Sequence, residues 1–86
     1  MASFYPHLYQ TVLTLLVEAR ERAGLSQAEL GGRYGLTEQF VISYEEGSRL
    51  LDPAEYLALC RAIGVDPYRI LQDAERSVSG GATDAW

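Results

Sequence analysis

Apolar residues recur along this chain at the three-to-four-residue spacing of helices, in five blocks separated by short polar or glycine-containing breaks. In the first block Leu8, Val12, Leu15, Leu16 and Ala19 share one face, predicting a helix from about His7 to Ala23 with Pro6 before it and Gly24 at its end. Ser26 with Glu29 three residues on has the spacing of a capping box and starts a second helix. Gly32 lies inside that pattern, where glycine costs about 1 kcal/mol relative to alanine. Gly35 breaks the pattern; Thr37 then caps a third helix running to about Glu46, and Gly47 closes it. Asp52-Pro53 opens a fourth, in which Tyr56, Leu59, Cys60 and Ile63 form a stripe before Gly64. Asp66-Pro67 opens a fifth through about Glu75, with Ile70 and Leu71 toward the core. The expected fold class is all-α with five helices. The segments read as an N-terminal arm (1–6), a folded domain (7–75) and a flexible Ser/Gly-rich tail (76–86).

Residues 26–47 are the most informative stretch: two short helices joined by a tight turn form a helix-turn-helix, whose second helix is the element that lies in a DNA major groove. Gly31 falls where the two helices cross, so its missing side chain permits close approach. At 100° per residue, Thr37, Phe40, Val41 and Tyr44 share the apolar face of the second helix. Glu38, Gln39, Ile42, Ser43 and Glu46 cover the opposite face.

Composition changes the picture through charge. The 86 residues carry twelve acidic and seven basic side chains, a net charge of −5, and every basic one is arginine. Nucleic-acid binders use clustered cations to displace phosphate counterions, so this total restricts the phosphate contacts to a few arginines. No apolar run reaches the length of a membrane span, and no basic-then-apolar start suggests a signal peptide. The lone cysteine, Cys60, excludes an internal disulfide, and no His/Cys spacing suggests a metal. The glycines at 31, 32 and 35 lack the preceding strand and following Lys-Ser/Thr of a phosphate loop. His7 has no second ligand near it, and no catalytic dyad or triad is present. These features point away from an enzyme and from any cofactor.

On the third helix, Gln39 can pair with an adenine edge, Glu38 can accept from a cytosine amine and Ile42 can touch a thymine methyl. Thr37 and Ser43 complete the candidate base- and backbone-contacting set on this helix. Gln27 stands at the start of the second helix, where free N–H groups face a phosphate. Arg33 and Arg49 flank the third helix in sequence and are the candidate phosphate anchors.

From about Tyr9 to Leu71 the chain resembles the Cro and lambda-repressor-like DNA-binding domains, the XRE family. The resemblance rests on Ala-Arg-Glu-Arg-Ala-Gly-Leu-Ser-Gln-Ala-Glu-Leu (19–30), Tyr-Glu-Glu-Gly-Ser-Arg (44–49) and Ala-Ile-Gly-Val-Asp-Pro (62–67). It implies a five-helix lambda-repressor-like domain that acts as a homodimeric transcriptional regulator, a repressor, on double-stranded DNA, in the cytoplasm of a bacterium or encoded by a phage. It also implies that Gln27 touches the DNA backbone and that Glu45 pairs with Arg20 in the first helix. Residues 40–52 look like a bacterial subgroup in which the positions of Glu38, Ser43, Glu46 and Leu50 usually hold Gln, a basic residue, Arg and Arg. Each departure removes positive charge or adds negative charge. An alternative function follows from them: a helix-turn-helix module with weakened DNA binding that docks a basic protein, using Glu38, Ile42 and Glu46 with Phe4, Tyr5 and Tyr9 of the arm region.

Overall fold

Four of the five helices are started by the side chain of the residue just before them. The computed structural model describes residues 6–79 and contains α1 (Pro6–Arg22), α2 (Gln27–Gly31), α3 (Glu38–Glu45), α4 (Pro53–Ile63) and α5 (Pro67–Ser79), with no strand among the described residues. Ser26 Oγ accepts the Glu29 N–H at 3.0 Å while Glu29 Oε1 accepts the Ser26 N–H at 2.8 Å, the two halves of a capping box. Asp52 and Glu55 repeat the device at the start of α4, with Pro53 as the first helical residue. Asp66 Oδ1 accepts the Tyr68 N–H at 2.9 Å to start α5. Hydrogen bonds from Ser26, the backbone N–H foremost, hold the Glu29 carboxyl below the usual carboxylate range. The stabilisation from that cap is therefore complete at neutral pH and is lost as the pH falls through the depressed value.

α5 packs along α1, and α2 packs on α3. Between them lies one core: Val12, Leu13, Leu16 and Ala19 from α1, Leu30 from α2, Val41 and Tyr44 from α3, Leu59, Cys60, Ala62 and Ile63 from α4, and Ile70 and Ala74 from α5. Burial pushes the Cys60 thiol up, which keeps it a neutral core residue. Two apolar placements differ from the pattern reading. Leu71 is 44% exposed, and the second core position of α5 is Ala74, one turn after Ile70. Leu13, outside the expected stripe of α1, is buried.

Helix ends differ as well. α5 continues past Glu75 to Ser79, so 76–79 belong to the helix and not to a tail; Asp73 lies within 3.6 Å of both Arg69 and Arg76, and Val78 is half-buried. The arm positions before Pro6 and the tail from residue 80 lie outside the described residues. α2 stops at Gly31, so Gly32 is its C-cap and not an interior residue, and the helical penalty expected there does not apply.

The neighbouring glycines have opposite reasons to be glycine. A Cβ on Gly31 would sit 2.3–2.6 Å from the backbone of Thr37 and Glu38, because the start of α3 rests directly on it. A Cβ on Gly32 would meet only carbonyl oxygens at 3.6–3.7 Å, an ordinary contact. Gly31→Ala is expected to destabilise the domain by about 3 kcal/mol. Gly32→Ala is expected to be neutral or to stabilise by up to about 1 kcal/mol. Chemical denaturation of both variants checks this; equal effects would contradict the packing assigned to Gly31.

Candidate nucleic-acid interface

Local backbone chemistry sets the angle between α2 and α3. After Gly32 the chain reverses through Tyr34 (φ 53°) and Gly35 (φ 75°), and the Leu36 N–H closes the turn on Arg33 O at 2.9 Å. Thr37 then caps α3, its Oγ1 accepting the Phe40 N–H at 3.1 Å. Val41 and Tyr44 turn fully into the core, and Phe40 packs against Tyr44 with ring centroids 5.7 Å apart. The Tyr44 hydroxyl is buried with no hydrogen-bond partner among the described residues, and burial foremost raises its pKa, so it stays neutral.

The outward face of α3 presents Glu38 and Gln39 to solvent, with Ile42 and Ser43 half-buried beside them and Glu46 exposed just past the helix. Gln39 Nε2 makes only a long 3.4 Å contact to Ser43 Oγ, and Glu46 Oε2 accepts the Ser48 hydroxyl at 3.1 Å. The eight residues of α3 span about 12 Å, which limits them to a few base pairs.

The last residue of α3 fixes the helix to the rest of the domain. Arg20 donates through Nε to Glu45 Oε2 at 2.7 Å and through Nη2 to Glu45 Oε1 at 3.2 Å, a two-pronged pair with side chains only 13% and 8% exposed. Arg20 Nη1 also donates to Leu25 O at 2.8 Å, tying down the loop between α1 and α2. Gln27 Nε2, from the first residue of α2, reaches the same carboxylate at 2.9 Å. Glu45 therefore receives three N–H groups from two other segments, and its bond to Arg20 holds the guanidinium pKa above the usual value. Gln27, placed by sequence at a DNA phosphate, is engaged here through one of its amide N–H groups.

The two candidate phosphate anchors are also engaged. Arg33 lies in the turn after α2, not in the last turn of the helix, because α2 ends at Gly31; its Nη1 donates to Ala62 O at 2.9 Å, on the last turn of α4. Arg49 does not extend freely from the loop after Gly47. Its guanidinium carbon sits 5.1 Å from the Phe40 ring centre, and its Nη2 pairs with Glu55 Oε2. The Asp52 N–H first, then Arg49, hold the Glu55 carboxyl below the usual range, so the pair is ionised at neutral pH. Sequence reasoning found Asp52 but missed Glu55, although Asp-Pro-Ala-Glu at 52–55 has the capping-box spacing. No local pattern signals the Arg33–Ala62 bond, which spans 29 residues.

A cleft of about 390 Å³ opens between α1 and the end of α3, lined by Leu13 and Val17 and by the acidic residues Glu18 and Glu46, with the Arg20-paired Glu45 beside them. Its charge repels phosphate. Among the described residues no group of His, Cys, Asp and Glu is arranged to hold a metal, and no helix is long and apolar enough to cross a membrane.

A family profile described as a helix-turn-helix domain matches residues 14–71. The solved structure of an "XRE-family like protein" from Pseudomonas syringae pv. tomato str. DC3000 is similar in sequence and shape. The two are 42% identical and superpose with a TM-score of 0.81, over 85% of this chain and 89% of that one. The chain belongs to the XRE-type helix-turn-helix family. No curated protein matches it. Membership of this XRE-type family makes the chain a helix-turn-helix domain of the kind found in DNA-binding regulators, with α2 and α3 as the motif.

The Arg20–Glu45 pair generates a stability prediction. Arg20→Ala or Glu45→Ala alone is expected to cost about 3 kcal/mol, because each strands a largely buried charge. Arg20→Met and Glu45→Leu, each expected to cost a similar amount alone, should together recover much of that loss. A double-mutant cycle by denaturant unfolding measures it; additive losses would contradict the direct pairing.

Proposed function

We propose that this XRE-type domain is a sequence-specific regulator that inserts α3 into the major groove of duplex DNA and represses transcription by occupying its site. The observation that carries this reading is the rigid presentation of the α3 face. Its inner side is core, its last residue is bound by α1 and α2, and its outward side carries Glu38, Gln39, Ile42 and Ser43. Gln39 gives up only a weak contact to Ser43 when it pairs with adenine. Glu38 accepts from cytosine N4, and the half-buried Ile42 offers methyl groups to thymine. Thr37 and Ser43 supply hydroxyls to the backbone or base edges, and the second amide N–H of Gln27 remains for a phosphate. Arg33 keeps guanidinium N–H groups beyond the one held by Ala62, and Arg49 is half-exposed.

One such helix makes few contacts, so the functional unit is a homodimer reading two half-sites about 34 Å apart. Tyr68, 72% exposed, and Leu71 on the outer side of α5, with Gln72 and Glu75 along the same helix, form the pairing surface.

A second reading draws on the acidic cleft between α1 and α3: with Glu18 and Glu46 exposed at its edge, a basic protein would dock there and on Ile42 in place of DNA. Duplex-binding titrations separate the two. Under the first reading Gln39→Ala shifts the preferred base at one position, lowering discrimination there by about tenfold. Glu46→Gln tightens binding to all sequences by relieving phosphate repulsion, and the log–log salt dependence is shallow for a DNA-binding domain because so few cations take part. Under the second reading neither variant alters duplex binding, and Glu46→Lys abolishes capture of the basic partner.

A further inference from the structure

The loop from Glu46 to Asp52 has one basic residue, Arg49, and that residue is occupied within the chain. Its guanidinium lies against the Phe40 ring, and one edge pairs with Glu55. Glu55 is not a floating counter-charge. Its Oε1 accepts the Asp52 N–H at 3.0 Å, and its own N–H donates to Asp52 Oδ1 at 2.7 Å, so the α4 cap fixes the carboxylate whether or not Arg49 is present. We propose that Glu55 limits the affinity of the interface by occupying Arg49, so that a DNA backbone phosphate gains this guanidinium only by displacing a carboxylate.

A carboxylate beside an arginine either orients it for a phosphate or neutralises it. Here orientation comes from the Phe40 ring, on which the guanidinium lies. Glu55 adds a single-oxygen contact to one nitrogen, Nη2, which leaves rotation about that contact free but places a full negative charge beside the cation. Glu46 and Asp52, in the same loop, add two further carboxylates and no compensating base. The ion pair is exposed enough, with Arg49 at 50% and Glu55 at 23%, for a phosphate to compete for it. The local balance therefore favours neutralisation. The chain holds its loop cation in reserve, and the interface binds phosphate more weakly than its arginine count suggests.

This inference rests on the DNA-binding reading, and one set of titrations separates the two. Wild type, Glu55→Gln, Arg49→Ala and the double variant are titrated with random-sequence duplex by fluorescence anisotropy from about 20 to 200 mM salt. Gln at this position of a capping box still accepts the Asp52 N–H, and circular dichroism melting of each variant verifies the fold. Glu55→Gln is expected to bind about 3- to 10-fold more tightly than wild type, with a salt slope steeper by about one. In the Arg49→Ala background the same change should give no gain. Equal or weaker binding by Glu55→Gln, or an equal gain without Arg49, overturns the proposal while leaving the interface standing. If no variant binds duplex even at the lowest salt, both the proposal and the DNA-binding reading fail. Binding by Glu55→Gln where wild type shows none supports the proposal.

Discussion

The bond network around the Glu45 carboxylate is what the rest of the site depends on. Arg20 reaches it from the last turn of α1 and Gln27 from the first residue of α2, so three helices meet at one side chain at the end of α3. α3 has only eight residues and would have little preference for a single orientation without tertiary restraint. At its other end, the backbone of Thr37 and Glu38 rests on Gly31, where no side chain intervenes. Restraint at both ends, with Val41 and Tyr44 buried between, leaves one face free and fixed in direction. A buried ion pair adds little net stability over apolar residues of the same shape. Its contribution here is geometric: it fixes α3 relative to α1 and α2.

The helices were legible because their boundaries rest on local chemistry. Ser26 with Glu29, Thr37, Asp52-Pro53 and Asp66-Pro67 each act within one turn, and each starts a helix where the spacing places it. The end of α5 was not legible, because Arg-Ser-Val-Ser at 76–79 has a loop-like composition. The helix continues there with Arg76 beside Asp73 and with Val78 half-buried. Leu71 was expected in the core, and Ala74, which the pattern did not single out, is buried instead. The larger side chain carries the stronger hydrophobic signal, but the close approach of α5 to α1 favours the small one.

The candidate site was legible only in part. Helical periodicity placed Glu38, Gln39, Ile42 and Ser43 away from the apolar face, since that depends on 100° per residue and little else. The occupation of Gln27, Arg33 and Arg49 by other parts of the chain was not readable from the residues. Their partners Glu45, Ala62 and Glu55 are brought to them by the fold. This occupation matters for a chain of net charge −5. Under the DNA-binding reading, long-range attraction is weak, so affinity comes from contacts made after docking and discrimination from base edges.

The central claim, that α3 reads a DNA sequence, is tested most directly by selecting binding sites from a random duplex library at about 100 mM salt. The account predicts an enriched motif built from two related half-sites centred about one helical turn apart, with adenine or thymine where Gln39 and Ile42 approach. Recovery of a library with no enriched motif, from protein shown to be folded, would contradict it.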